Sequence, residues 1–462
     1  SADLWRAQLE HDSGLDLYRA DPDTSDPMQR LMRALTGATE RYQATPEAER
    51  VYSVEEALRL LAEYVVLCIA ISARRQDSAL IASLPELLEP FAVLSPVLDA
   101  IWRNAVASRD GSVYGNLERA REGWRVVLEK LDALDGSELP YVEAIANAVA
   151  FAVGMMDAQL GVPGSTSYAE RLDRDPYHKV SAIQLRRIVR LEHGDFAGAE
   201  RLRRQAEIMA LQSKIPPLFK SLLVIELGAC GKARDLAGIA HIVEQMRPIA
   251  AHHPGWVPTL LVAEVAFHMC RGDLEESERK SRQCLALTAP DAQGFSFNRL
   301  MWTQASAQLS EVLLSAGRAQ EARDVAQQAL DRTGPECGLA PAEIVIALAL
   351  AEASLGQPGA VARLEALIAH KNELGASGLR LGIAYEARAR IAIWQRDAAA
   401  FEHYAELTAR EYRYGASSPL GTRYERLRND IFERTETAMP QAHCFKVCEL
   451  ALEAQARAVR LA

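Results

Sequence analysis

One small turn keeps returning along this chain. Gly194-Asp195-Phe196 is followed by Ala199 and Ala206, Gly272-Asp273-Leu274 by Ser277 and Cys284, and Gly317-Arg318 by Ala322 and Ala329. Weaker copies are Gly356-Gln357 with Val361 and Ile368, and Arg396-Asp397 with Phe401 and Thr408; a further turn lies between Gly231 and Asp235. From Gly272 onward the steps are 45, 39 and 40 residues, so the unit is about 40 residues long.

Each part of the unit has a physical reason. Glycine supplies the backbone freedom needed where one helix stops and another starts. Asp195 and Asp273 are suited to cap the helix that follows. The small residues five and twelve places after the turn lie seven apart, on one helical face, where they let neighbouring helices approach closely. Apolar residues such as Leu309, Val312 and Leu313 precede the turn at helical spacing. The unit is a helical hairpin that cannot bury its apolar face alone and therefore stacks on its neighbours.

Composition agrees. Aromatics make up only 6% of the 462 residues, Ala, Leu, Arg and Glu dominate, and the hydrophobic share is 49%. That is helix-former chemistry, with room for a large core and no disordered or collagenous character. The fold class expected is all-α: a right-handed α-solenoid of about ten hairpins, elongated to roughly 100 Å along its curve at about 10 Å per layer. The expected organisation is 1–175 as irregular helical repeats, 176–430 as the regular array and 431–462 as a capping helix or linker. Thr45-Pro46-Glu47 and the capping box Ser53-Val54-Glu55-Glu56 start early helices. Asp21 to Pro27 reads as a loop, Pro85, Pro90 and Pro96 read as punctuation between short helices, and Gly161 to Ser165 and Asp173 to Pro176 read as turns.

The turn-plus-small-residue pattern over roughly Ser181 to Tyr414 resembles the tetratricopeptide-repeat family, here with longer units and without most of that family's first-helix Trp, Leu-Gly and Tyr positions. A HEAT-like array has a similar period. The stretches Trp5 to Asp12, Pro254-Gly255-Trp256-Val257-Pro258, Tyr385-Glu386-Ala387-Arg388-Ala389-Arg390 and Tyr424-Glu425-Arg426-Leu427 look like the helical-repeat region of large bacterial multidomain serine/threonine kinase polypeptides. That resemblance implies a regulatory or partner-binding appendage in signal transduction.

No motif carries catalysis. Gly228-Ala229-Cys230-Gly231-Lys232-Ala233 lacks the first glycine and the Ser or Thr of a phosphate loop and reads as a hairpin turn. Asp195-Phe196-Ala197 has none of the companion kinase motifs. His443-Cys444-x3-Cys448 puts two thiols on one face without a second ligand pair, so no metal or cofactor is expected. Seven scattered cysteines and no signal-peptide pattern at Ser1 to Arg6 fit a reducing, cytoplasmic compartment. With 52 basic against 62 acidic residues, net charge −10, no global field attracts nucleic acid. The longest apolar stretches, Tyr64 to Ser72 and Ile344 to Ala351, are too short to insert in a membrane.

In tetratricopeptide stacks the first helix of each hairpin lines the concave surface. On those helices the polar candidates for partner binding are Gln184, Arg187 and Arg190, then Gln304, Gln308 and Glu311, which form a stripe, then Arg388. The expected function is a non-catalytic scaffold that holds a protein or peptide in an open groove. The rival is a ligand-sensing repeat domain with a closed, aromatic-lined pocket around Trp256 and Trp302. A helical enzyme, the third reading, needs converging ionisable residues that no spacing here suggests.

Overall fold

The structure, a computed structural model, describes residues 78–93, 96–134, 142–213, 222–289, 299–332, 341–413 and 418–436. The early caps, the Asp21 to Pro27 loop, the Trp5 to Asp12 stretch and the His443-Cys444 pair lie outside the described residues.

Eighteen α-helices and no strand are found among the described residues. They are α1 (Ser78–Ala92), α2 (Pro96–Ser112), α3 (Leu117–Asp132), α4 (Val142–Leu160), α5 (Ser165–Asp173), α6 (Lys179–Glu192), α7 (Phe196–Ser213), α8 (Leu222–Ala233), α9 (Leu236–His252), α10 (Val257–Arg271), α11 (Leu274–Thr288), α12 (Arg299–Ser315), α13 (Ala319–Arg332), α14 (Ala342–Ser354), α15 (Ala360–Glu373), α16 (Leu379–Gln395), α17 (Ala398–Glu411) and α18 (Pro419–Glu436). Most successive helices pack against each other, and alternate ones also touch, forming an α-solenoid of stacked helical hairpins.

The recurring turn builds the hairpins. Gly194, Gly272, Gly317 and Gly356 all have φ between 70° and 78°, and Arg234 and Arg396 take the same left-handed conformation at 55° and 60°. At all six turns the next residue's N–H donates to the carbonyl five places back, at 2.8–3.0 Å, which closes the helix C-terminus. Asp195, Asp235, Asp273 and Asp397 then cap the following helix through its third amide, at 2.8–3.3 Å. Arginine in a left-handed conformation is strained where glycine is not. Arg396 is solvent-exposed, so Arg396→Gly is expected to stabilise the protein by about 1 kcal/mol, measured by urea unfolding.

The small residues sit where the pattern put them. Ala199, Ala206, Ser277, Cys284, Ala322, Ala329, Phe401 and Thr408 are all buried against the first helices. Two details differ from expectation. Pro358-Gly359 lengthens the fourth turn, Gly359 becomes the N-cap, and Ala360 takes the buried slot while Val361 stays half-exposed. Pro85 and Pro90 lie inside α1; burial of Ile81, Leu84 and Leu88 offsets the lost backbone bonds.

The array is not the open, elongated ladder expected from the period. It curls until distant turns meet. The loop before α16 reaches the α4–α5 turn, where the Ser377 amide and hydroxyl donate to the Gly161 carbonyl at 2.8 and 3.1 Å. His193 Nε2, at the α6–α7 turn, lies 3.2 Å from Ser377 Oγ. Leu379 and Leu420 are buried with Leu191, Ala229 and Ala233, sealing α16 and α18 against α6 and α8. Further along, the Leu300 amide donates to the Val113 carbonyl at 3.3 Å. Arg109 and Arg299 both lie over the Tyr114 ring, at 5.5 and 5.3 Å, and His370 meets Glu118 at 3.0 Å.

Candidate functional site

Curling turns the concave face into a cavity of about 380 Å³, within the range of small-ligand sites. First helices supply most of its wall. Val224 and Leu227 of α8, Val262 and Ala266 of α10, Ile346 of α14 and Ile383 of α16 make the apolar part. Two charged regions interrupt it.

The first region is tightly paired. Glu386 of α16 is buried and accepts from Arg423 Nε at 2.6 Å, Arg390 Nη2 at 2.9 Å and Tyr412 Oη at 2.8 Å. Arg423 also donates to the Lys232 carbonyl, tying α18 to α8. Burial pushes the Glu386 carboxyl up, but Arg423 and Arg390 outweigh it and hold it at about 2. Burial beside that carboxylate pushes the Tyr412 hydroxyl well up. Arg234 pairs with Glu311 close by; against burial, Arg234, Arg423 and Arg390 hold Glu311 low.

The second region is loosely paired. Lys232 is 3.4 Å from Glu192, and Arg380 is 3.7 Å from Glu192 and 3.4 Å from Glu343. All three separations exceed the 2.7–2.9 Å of a charge-assisted hydrogen bond. Lys371, near the end of α15, joins this group. Burial, with repulsion from Arg380, lowers its ammonium to about 8; burial lowers Lys232 too.

Of the residues proposed from sequence, Gln304, Gln308 and Glu311 line the cavity. Gln308 Nε2 donates to the Val262 carbonyl at 3.1 Å, and Glu311 keeps 44% of its side-chain surface. The other four are elsewhere. Arg187 is buried between α6 and α8 on Glu226 at 2.6 Å, with Gln184 3.5 Å away. Arg388 is buried between hairpins on Glu365 at 3.2 Å and over the Tyr404 ring at 4.9 Å. Arg190 is exposed on its turn, paired with Asp195 at 3.0 Å. Polar residues on a first helix serve inter-hairpin ion pairs as readily as a groove, and helical spacing does not separate the two. Trp256 and Trp302 are packed into the cores between helices rather than on the cavity wall, because their large rings are more valuable as core.

Sequence reasoning missed the loosely paired cations. Lys371 lies on a second helix, where the groove was not sought, and Lys232 belongs to the stretch read as a hairpin turn. That stretch is the end of α8, with Gly228 and Gly231 on the cavity wall beside Lys232. A Cβ at Gly231 would meet no atom within 4 Å, so packing does not demand glycine there.

Among the described residues no group of His, Cys, Asp and Glu is arranged to hold a metal ion, and no helix is long and apolar enough to cross a membrane. Burial pushes the thiol of Cys270, on the cavity wall, above its usual range, and that of Cys284 up to about 12.

No family model and no curated protein significantly matches the sequence. Among solved structures, a chain of the APC/C hetero-tetramer Cut9-Hcn1 is similar at 10% identity with a TM-score of 0.42, over 94% of this chain and 89% of that one.

Proposed function

We propose that this chain is a non-catalytic recognition module that takes a small molecule or a short peptide segment into the cavity inside its superhelix, and that the closed curve responds to occupancy. The carrying observation is the cavity inside the curve: first helices of successive hairpins wall a ligand-sized, partly open space, and contacts between distant turns draw its rim together. A folded domain does not fit in about 380 Å³, which favours the ligand-sensing reading over an open scaffold groove. Protein partners then meet the outer face, where α7, α11 and α13 carry dense Arg–Glu pairs. The cavity carboxylates Glu311, Glu343 and Glu386 are held low and the Cys270 thiol is held high. For these carboxylates and this thiol, that is the reverse of the poise that acid–base chemistry needs. A role in bacterial signalling, in a reducing compartment, follows from the resemblance noted in the sequence and from buried free thiols at Cys230 and Cys284.

Gly231→Phe tests this. A Cβ at Gly231 meets no atom within 4 Å, and the helix loses a glycine, so the variant is expected to fold about as stably as the wild type. Native mass spectrometry of both chains, purified from the native host, is expected to show a bound ligand on the wild type and none on the variant. A variant that carries the same ligand, or a wild type that carries none while it still captures protein partners, overturns the proposal.

A further inference from the structure

The charged residues of the cavity divide by how closely they are paired. Around Glu386 every contact is short and every carboxylate oxygen is used. At the other region Lys232 and Arg380 reach Glu192 and Glu343 only at 3.4–3.7 Å, and the neighbouring Glu118 is turned to His370. No carboxylate closes on Lys371.

Lys371 is where the loose pairing shows. Its side chain is 8% exposed, it lines the cavity, and it has no hydrogen-bond or ion-pair partner among the described residues. Its Nζ opens to the cavity, whereas Arg380 Nε is sealed without a hydrogen-bond partner. A cation drawn largely out of water without a direct partner is destabilising, and methionine could fill the same space. Lysine here makes the empty protein weaker, which is the mark of a residue retained for a task rather than for the fold. Beside it α8 carries Gly228 within the helix, an unfavourable choice, and Gly231 in its last turn, where a Cβ would meet no atom within 4 Å on the cavity wall.

From this geometry we infer that Lys371, Arg380 and Lys232 form a receptor for one oxyanion, a carboxylate or a phosphate, borne by a ligand whose apolar remainder lies along Val224, Val262 and Ile346. The inference rests on the recognition role proposed above and names its ligand class. An oxyanion at the cavity wall can accept from the Lys371 ammonium, while Arg380 and Lys232 of the same wall add their attraction. The ion pairs to Glu192 and Glu343 are long enough to yield.

The test uses the full chain, with inorganic phosphate and acetate as separate probes against potassium chloride at matched ionic strength. Thermal melting and titration calorimetry are the readouts. The wild type is expected to melt higher in phosphate, in acetate, or in both, than in chloride; phosphate alone assigns a phosphate-bearing ligand and acetate alone a carboxylate. Lys371→Met is expected to melt higher than wild type in chloride and to bind the probe about tenfold or more weakly. Arg204→Met, which removes a cation 71% exposed on α7, is expected to respond as the wild type does. An unchanged response in Lys371→Met overturns the assignment, and so does a wild type indifferent to both probes. If Gly231→Phe still expels a native ligand in that case, the cavity reading stands and only the oxyanion assignment falls.

Discussion

Glu386→Ala is expected to destabilise the protein by about 3–5 kcal/mol, the range for removing one partner of a buried ion pair. The substitution leaves Arg423 and Arg390 facing each other without the carboxylate that binds both, and strips Tyr412 Oη of its acceptor. Because Arg423 also holds the Lys232 carbonyl, the loss spreads from α16 to α18 and α8. The pH dependence has a definite sign. The folded carboxyl is held at about 2 against an ordinary 4.5, so its contribution is fully present above pH 4.5 and is lost as pH falls from there towards 2. Urea unfolding of wild type and variant should therefore differ by a constant amount near neutrality, and the gap should narrow below pH 4.5. A gap that stays constant down to pH 2.5 refutes the assignment of charge to Glu386.

The closure can be broken without touching any repeat. Gly161 and Gly378 both have positive φ, near 74°, and each lies against the other side's backbone: a methyl at Gly161 would run into the Ser377 carbonyl, and one at Gly378 into the Glu192 carbonyl. With ψ at −149°, Gly378 also occupies a region nearly closed to other residues. Gly161→Ala with Gly378→Ala is expected to weaken the closure by several kcal/mol, since strain of about 1–3 kcal/mol arises at each site. Nearest-neighbour packing survives, so helicity by circular dichroism should hardly change. Small-angle scattering should report a larger radius of gyration, and the Ser377 amide should lose its exchange protection. A variant that keeps the wild-type radius would show that the curve is fixed by hairpin packing alone.

Much of the fold was readable because it is local. A glycine, a capping aspartate and two small residues recur within one hairpin, and each performs its task inside that hairpin. Where the chemistry was expressed by other letters, the pattern was harder to see. Gly115-Asn116 forms an equivalent turn, with Gly115 at φ 71°, Asn116 capping α3 and Ala120 and Val127 buried behind it. Asparagine caps as well as aspartate does, but a turn without the aspartate does not match the recurring letters, and it falls in the part of the chain whose pattern is irregular. The closure was invisible for a different reason: Gly161 meets Ser377, and Glu118 meets His370, across more than 200 residues, and no periodicity encodes those pairings. The candidate site suffers from both difficulties. Gln304, Gln308 and Glu311 could be found by their spacing, whereas Lys371 is notable only for the partner it lacks.

A linear stack of hairpins has two free ends, and a disturbance in one unit fades with distance along it. Joining the turns around Gly161, His193 and Ser377 makes a hoop of such a stack. In a hoop, stress introduced at any point is borne around the whole circumference, so loosening one hairpin slackens units far from it in the chain. Anything that tightens the interior braces the outer rim at the same moment, and a protein resting on that rim can feel whether the interior is filled.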